Sequence, residues 1–255
     1  MEQERIEEIK ADFPEASSYE LRMTIGPGTL RLAPKPGAPW VEGTYRDPSG
    51  SIPSRVSLSG GSLHISQERK SLRALRRTPE FDLRIGDAHP FSVDIDGGAN
   101  VLECDFGGLP ITSFESQLGA GKIRYDASAP NPVEMDRLRI AAGAADFTIK
   151  HLANFNASDI VIDGGAASFR IDFSGELRRD CHAKISTGVA SVEISIPKTT
   201  AVKLTTHTAM GSRDIGDGFI TRSGGFWSEA ALNESGPVLT LEASASMGSL
   251  KVRLV

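Results

Sequence analysis

One short phrase recurs along the chain: GGAASFRI ending at Ile171, STGVASVEI ending at Ile194, AMGSRDI ending at Ile215 and SMGSLKV ending at Val252. Taking the central residue of each copy as an anchor gives Leu30, Leu63, Leu102, Ile123, Phe147, Phe169, Val192, Arg213 and Leu250. Two positions after each stands Leu32, Ile65, Cys104, Tyr125, Ile149, Ile171, Ile194, Ile215 or Val252. This alternation is the period of a strand with one buried face. Small residues hold the slots two and four before the anchor; the earlier slot reads Gly26, Ser59, Gly98, Gly119, Gly143, Gly165, Gly188, Ala209 and Ser246.

A second apolar arm precedes the small pair. Nine positions before the anchor stand Leu21, Val93, Phe114, Leu138, Ile160, Leu204 and Leu241; seven before stand Met23, Val56, Ile95, Ile140, Ile162 and Ile185. One unit therefore reads as strand, glycine-rich corner, strand and return. Between Phe91 and Ile215 the anchors recur about every 21–24 residues, a period that marks a solenoid. A unit of this size cannot bury its own apolar arm, and stacking buries a shared column.

The expected fold is all-β: a stacked-coil β-solenoid, β-helix-like, over residues 91–255. It continues from an irregular N-terminal β region and cap over residues 1–90. The acidic stretch Glu4 to Lys10 is expected as a short capping helix, and ERKSLRALRR (residues 68–77) as a short helix or projecting loop. The long interval after Ile215 is expected as an extended coil or hairpin near the C-terminal end.

The 28 basic and 33 acidic side chains leave a net charge of −5, which argues against a dedicated nucleic-acid binder. The polar N-terminus lacks the basic and apolar regions of a signal peptide. No stretch approaches the ~20 apolar residues of a membrane helix. Two distant cysteines, Cys104 and Cys181, define neither a disulfide framework nor a zinc site and are expected as buried thiols.

Motifs that could carry chemistry read more simply as parts of the repeat. LGAGKI (118–123) fails the phosphate-loop pattern, because Ile123 stands where Ser or Thr would hold magnesium. Cys181 and His182 are strand neighbours and should diverge. The five histidines form no ligand cluster, and no metal, cofactor or catalytic residue is expected. The aspartates of IDGG (162–165) suit corner hydrogen bonding and do not repeat as tandem calcium turns.

Candidate binding residues fall in two places. Arg73, Arg76 and Arg77, with Lys70, form a basic cluster suited to an acidic partner or anionic lipid head groups. Arg213 interrupts an otherwise apolar anchor column, and Phe219, Phe226 and Trp227 occupy the C-terminal insertion. Exposed aromatics there would form an interaction patch; buried ones would cap the last coil.

The series LGAGKIRY, AAGAADFTI, DGGAASFRIDFSGEL, STGVASVEISIP and SMGSLKV resembles the toast-rack, or LiaF-like C-terminal, family of bacterial envelope-stress proteins and related candidate adhesins. The similarity covers residues 81–255 and, more weakly, the N-terminal third. The resemblance implies a stacked β architecture without catalytic residues. It also implies a role in sensing cell-envelope stress through a membrane histidine kinase. This chain departs from such members in lacking their membrane helices. The expected function is a non-enzymatic interaction, sensor or scaffold module that binds another protein or itself. Its expected place is the cytoplasm, peripheral to the membrane. The alternative is a carbohydrate-binding or adhesin-like surface module.

Overall fold

The computed structural model of the chain describes residues 4–67, 78–222, 224–233 and 236–255, the side chain of Ala167 excepted. Among the described residues the chain is all-β apart from a four-residue helix, α1 (Glu229–Leu232), and one 3-10 turn at Leu152–Phe155. Seven short strands come first: β1 (Arg5–Ala11), β2 (Glu20–Ile25), β3 (Gly28–Pro34), β4 (Val41–Asp47), β5 (Ser54–Ser59), β6 (Ser62–Gln67) and β7 (Glu80–Ile85). Six long strands follow: β8 (Phe91–Asp105), β9 (Ile111–Asp126), β10 (Met135–Lys150), β11 (Ala157–Asp172), β12 (Cys181–Ile196) and β13 (Ala201–Ile215). A hairpin of β14 (Phe219–Arg222) and β15 (Gly225–Ser228) leads through α1 to the last strand, β16 (Val238–Leu254).

Except for β13, whose second arm is exposed, each long strand serves one core with both of its arms. In β8 the inward residues are Phe91, Val93 and Ile95, then Asn100, Leu102 and Cys104. The parity changes once, at the small residues between Ile95 and Asn100, so the strand turns a corner there and both arms keep their apolar side chains inward. The parallel ladder breaks at the same place. Among the described residues no rung joins Gly98 to Gly119, Gly119 to Gly143 or Gly165 to Gly188. A Cβ on Gly119 would lie 2.8 Å from the Gly98 carbonyl oxygen, one on Gly143 2.5 Å from that of Gly119, and one on Gly165 2.4 Å from that of Gly143. Contacts under 3 Å demand a backbone shift, so the glycine column follows from how closely successive corners stack.

The anchor column is realised across the stack. Leu30 pairs with Leu102, Leu102 with Ile123, Ile123 with Phe147, Phe147 with Phe169, and Phe169 with Val192. Tyr125, Phe147 and Phe169 form a ring ladder with centroids 6.0 and 5.5 Å apart. Burying each such side chain stabilises by about 1.5–3 kcal/mol. The buried Tyr125 hydroxyl meets Ser116 Oγ at 2.8 Å, which accounts for a serine in an inward slot. In the returns, Asn131 donates to the carbonyls of Ile111 and Phe155, and Asn154 to that of Ala127. These bonds satisfy backbone groups that no ladder serves.

Three expectations are corrected, and the strand order departs from the order of the repeats. Residues Glu4 to Lys10 form no helix: Arg5–Ala11 is strand β1, paired antiparallel with β4, because Ile9 and Ala11 alternate into the core. Leu63 is not an anchor; it pairs with Leu21 in the first-arm column. The Gly60-Gly61 pair before it is the hairpin turn from β5, with Gly60 at φ 57°. Val56 does not join the inward column either: it lies on the exposed face of β5. Finally, the strands do not stack in chain order, for β16 lies between β12 and β13. Val192 therefore meets Leu250, and Leu250 meets Arg213. The expected helix or loop at residues 68–77 lies outside the described residues.

The insertion also keeps like charges apart. The outward residues just after each anchor run Arg31, Glu103, Arg124, Thr148, Arg170, Glu193, Lys251 and Asp214 across neighbouring strands. With β13 directly beside β12, Glu193 would face Asp214. Lys251 separates the two acids, and like charges placed opposite destabilise a ladder.

Candidate functional site at the C-terminal end

The two ends of the stack are finished differently. At the N-terminal end, β7, β4 and β1 lie outside the second-arm strand β3, and β6 and β5 outside the first-arm strand β2. At the other end β15 and β14 lie outside β13, but only its first arm is paired: Lys203 stands opposite Trp227, and Leu204 opposite Phe226. Among the described residues, Thr206 to Ile215 pair on the β16 side alone.

The insertion is held to this end by Ser228, which is fully buried. Its hydroxyl donates to the Thr200 carbonyl at 3.0 Å and accepts from the backbone N–H of Val202 at 2.9 Å and of Ala231 at 3.2 Å. A serine that caps α1 thereby also fastens the hairpin to β13. Phe219 and Phe226 are half-buried against the core. The Arg213 guanidinium lies 5.5 Å from the Phe226 ring centroid, and Lys203 Nζ lies 4.7 Å from that of Trp227. Both are cation–π contacts at a surface, worth about 0.5–1 kcal/mol each.

Arg213 thus occupies an anchor slot only because its strand ends the stack, where the guanidinium reaches solvent. It also donates to Thr206 Oγ1 at 3.3 Å. The structure brings Arg213, Phe219, Phe226 and Trp227 together at one end. Arg73, Arg76 and Arg77, with Lys70, lie outside the described residues.

A second surface runs along the corners of the stack. An open trough of about 860 Å³ is floored by Gly98, Gly119, Gly143, Gly165 and Gly188. Its sides carry Asp96, Gln117, Asp163, Ser186, Thr187 and Ser244, and among the described residues no aromatic ring lines it. Burial, with neighbouring Asp96 adding to it, holds the Asp94 carboxyl above its ordinary value.

The Cys181–His182 pair diverges as its strand position requires. Cys181 is buried, while His182 is exposed with its ring nitrogens 3.7 Å from Asp159 and Glu242. Burial, aided by Asp159, pushes the Cys181 thiol up to about 12, and burial raises that of Cys104 further. Both are protonated at neutral pH and poor nucleophiles. LGAGKI lies within the continuous strand β9 rather than on a loop opening a helix. Among the described residues, no helix is long and apolar enough to cross a membrane.

Sequence reasoning reached the residues at the C-terminal end but missed the trough and the bare edge. The signal for the edge was present: Glu193 and Asp214 occupy equivalent slots with like charge, while Lys251 carries the opposite one.

Together these features define an all-β stack with surfaces suited to binding. The family described as the N-terminal domain of toast_rack, DUF2154, matches residues 1–150 and 130–195, and the chain belongs to it. Among solved structures, a candidate cell adhesion protein from Clostridium sporogenes ATCC 15579 is similar over 99% of this chain and 100% of its own, at 15% identity and TM-score 0.52. A candidate adhesin from Bacteroides fragilis NCTC 9343 aligns over 98% of each chain at 9% identity, with a TM-score of 0.35. No curated protein matches.

Proposed function

We propose that the chain is a non-enzymatic protein-interaction module, a sensor or scaffold whose strands and returns close as β-solenoid coils. In this reading residues 91–255 form the binding unit and residues 1–90 its capped base. The observation that carries it is the asymmetry of the ends: Arg213, Phe226 and Trp227 gather where the second arm of β13 is left unpaired. Family membership supports a role in bacterial envelope-stress signalling, with a membrane sensor kinase as partner and a position at the cytoplasmic membrane surface.

The test is affinity capture of the tagged chain from cross-linked cells with solubilised membranes. A membrane protein that survives washing, and is lost with Phe226→Ala/Trp227→Ala in a chain that still folds, supports the reading. Loss confined to Arg73/Arg76/Arg77 variants moves the surface to the basic cluster.

The trough favours a second reading, an adhesin-like or carbohydrate-binding surface module. The fold is shared with a protein named as a candidate for cell adhesion, and the polar trough spans several strands. Against it stands the missing aromatic platform. Saturable binding to a member of a polysaccharide panel, abolished by Gln117→Trp or Ser186→Trp in the trough, would favour this reading over the first.

A further inference from the structure

We infer that the bare edge of β13, from Thr206 to Ile215, is a docking edge for one extended strand of another polypeptide, laid parallel to β13 as the next rung of the stack. The inference rests on reading the C-terminal end as the binding surface, and names what binds there.

Three observations carry it. The first is the edge itself. Strands that end a sheet present unpaired N–H and C=O groups and are normally covered or blunted. Here the opposite end of the same arm is covered by three further strands, whereas Thr206 to Ile215 has, among the described residues, none. Residues Ala209 to Asp214 are exposed, and Met210 is 66% exposed.

The second is shape. The hairpin β15–β14 fills the two strand places outside the first arm of β13, and no described residue fills the places beside it on the second arm. A second folded copy pairing here would drive its own first arm into that hairpin. A lone strand has no second layer and enters the step.

The third is charge. The outward ladder ends Glu193, Lys251, Asp214; Asp214 is already ion-paired with Arg253 on the covered side, so a basic residue in the next place simply continues the alternation. Arg213 faces the core side without an acidic partner among the described residues, and asks for an acid beside it. Ile215 continues the row Ile171, Ile194, Val252 and asks for an apolar side chain. The fitting strand therefore reads acid, base, apolar at the places of Arg213, Asp214 and Ile215. Main-chain bonds supply affinity and these side chains supply choice. Arg213 also turns away apolar strands, which would bury its charge unpaired.

The probe is a fluorescent peptide of sequence 206–215 carrying Arg213→Glu and Asp214→Lys, titrated into the full chain. Saturable binding is expected, with slowed amide exchange over residues 206–215. Arg213→Glu in the protein should weaken it about tenfold. That variant should in turn prefer the peptide that keeps its arginine. Circular dichroism confirms that the variant folds.

The inference is overturned by no binding at the highest soluble peptide concentration, by binding indifferent to Arg213→Glu, or by protection elsewhere, such as in the trough. It is equally overturned if the edge proves closed by a second copy, seen as concentration-dependent dimers that Arg213→Glu disperses. If affinity capture still depends on Phe226 and Trp227 while the peptide fails, the binding-module reading stands and strand docking falls.

Discussion

Glu193 and Lys251 stand in register on adjacent strands, with 3.7 Å between carboxylate and ammonium, although the lysine lies 58 residues further along the chain, on a strand that bypassed its predecessor. Both side chains are about half exposed, so the pair itself stabilises weakly. What it does is place a cation between two acids. Lys251→Glu would line up three acids, and a loss of about 1 kcal/mol is expected by urea denaturation. Glu193→Lys in the same chain should restore most of it. An unchanged midpoint for Lys251→Glu would mean that charge plays no part in choosing the strand order.

The glycine column makes a sharper prediction because it contains its own control. Gly143→Ala should cost about 1–3 kcal/mol, since its Cβ would come within 2.5 Å of a backbone oxygen. Gly98→Ala, at the head of the same column with nothing within 4 Å, should stay within about 0.5 kcal/mol of the parent. Equal losses at both sites would refute the stacking explanation.

Much of this fold is visible in the amino acids because a stack repeats its environment. Leu102, Ile123, Phe147 and Phe169 meet the same neighbours in every turn, so their slots keep one character and can be aligned by eye. Position within the stack is harder to read. The period carries the spacing between units but not which unit lies beside which, so nothing in it separates Val192 from Arg213. Leu63 failed for a related reason: a glycine pair before an apolar residue suits a hairpin turn as well as a corner. The trough escaped notice because it is a shape made by what glycines lack. Phe219, Phe226 and Trp227 were legible as aromatics in an insertion, while the bare edge beside them emerged only from the pairing.

The thiols set a pH dependence. Cys181 titrates near 12 when folded against an ordinary 9.0, so above pH 9 the unfolded chain binds fewer protons than the folded one. Stability present below that point should therefore decline as pH rises from about 9 towards 12. A Cys181→Ala/Cys104→Ala chain, though less stable at pH 7, should show a shallower decline. In the folded protein a thiol-specific chromogenic reagent at pH 8 should react slowly, at a rate set by unfolding. Prompt reaction of both thiols would contradict their burial.

Ser228 should matter to the C-terminal end out of proportion to its size. Ser228→Ala leaves two buried backbone donors short of an acceptor, and a cost of about 1–3 kcal/mol is expected. Amide exchange of Val202 should accelerate with it. Were the hairpin held by its aromatics alone, Phe226→Ala would show the larger effect and Ser228→Ala almost none.

The position of β16 has a consequence during synthesis. The ribosome makes β13 before the strand that must lie between it and β12, so the growing chain cannot simply add layers as they emerge. Until β16 appears, β12 offers an edge whose nearest tethered candidate is the wrong one, with Glu193 against Asp214 to discourage it. A chain stopped short of Val238 would lose a strand from inside the sheet rather than from its rim, leaving β13 and its hairpin with no layer to rest on. Completion of the polypeptide thus decides whether the whole C-terminal end assembles.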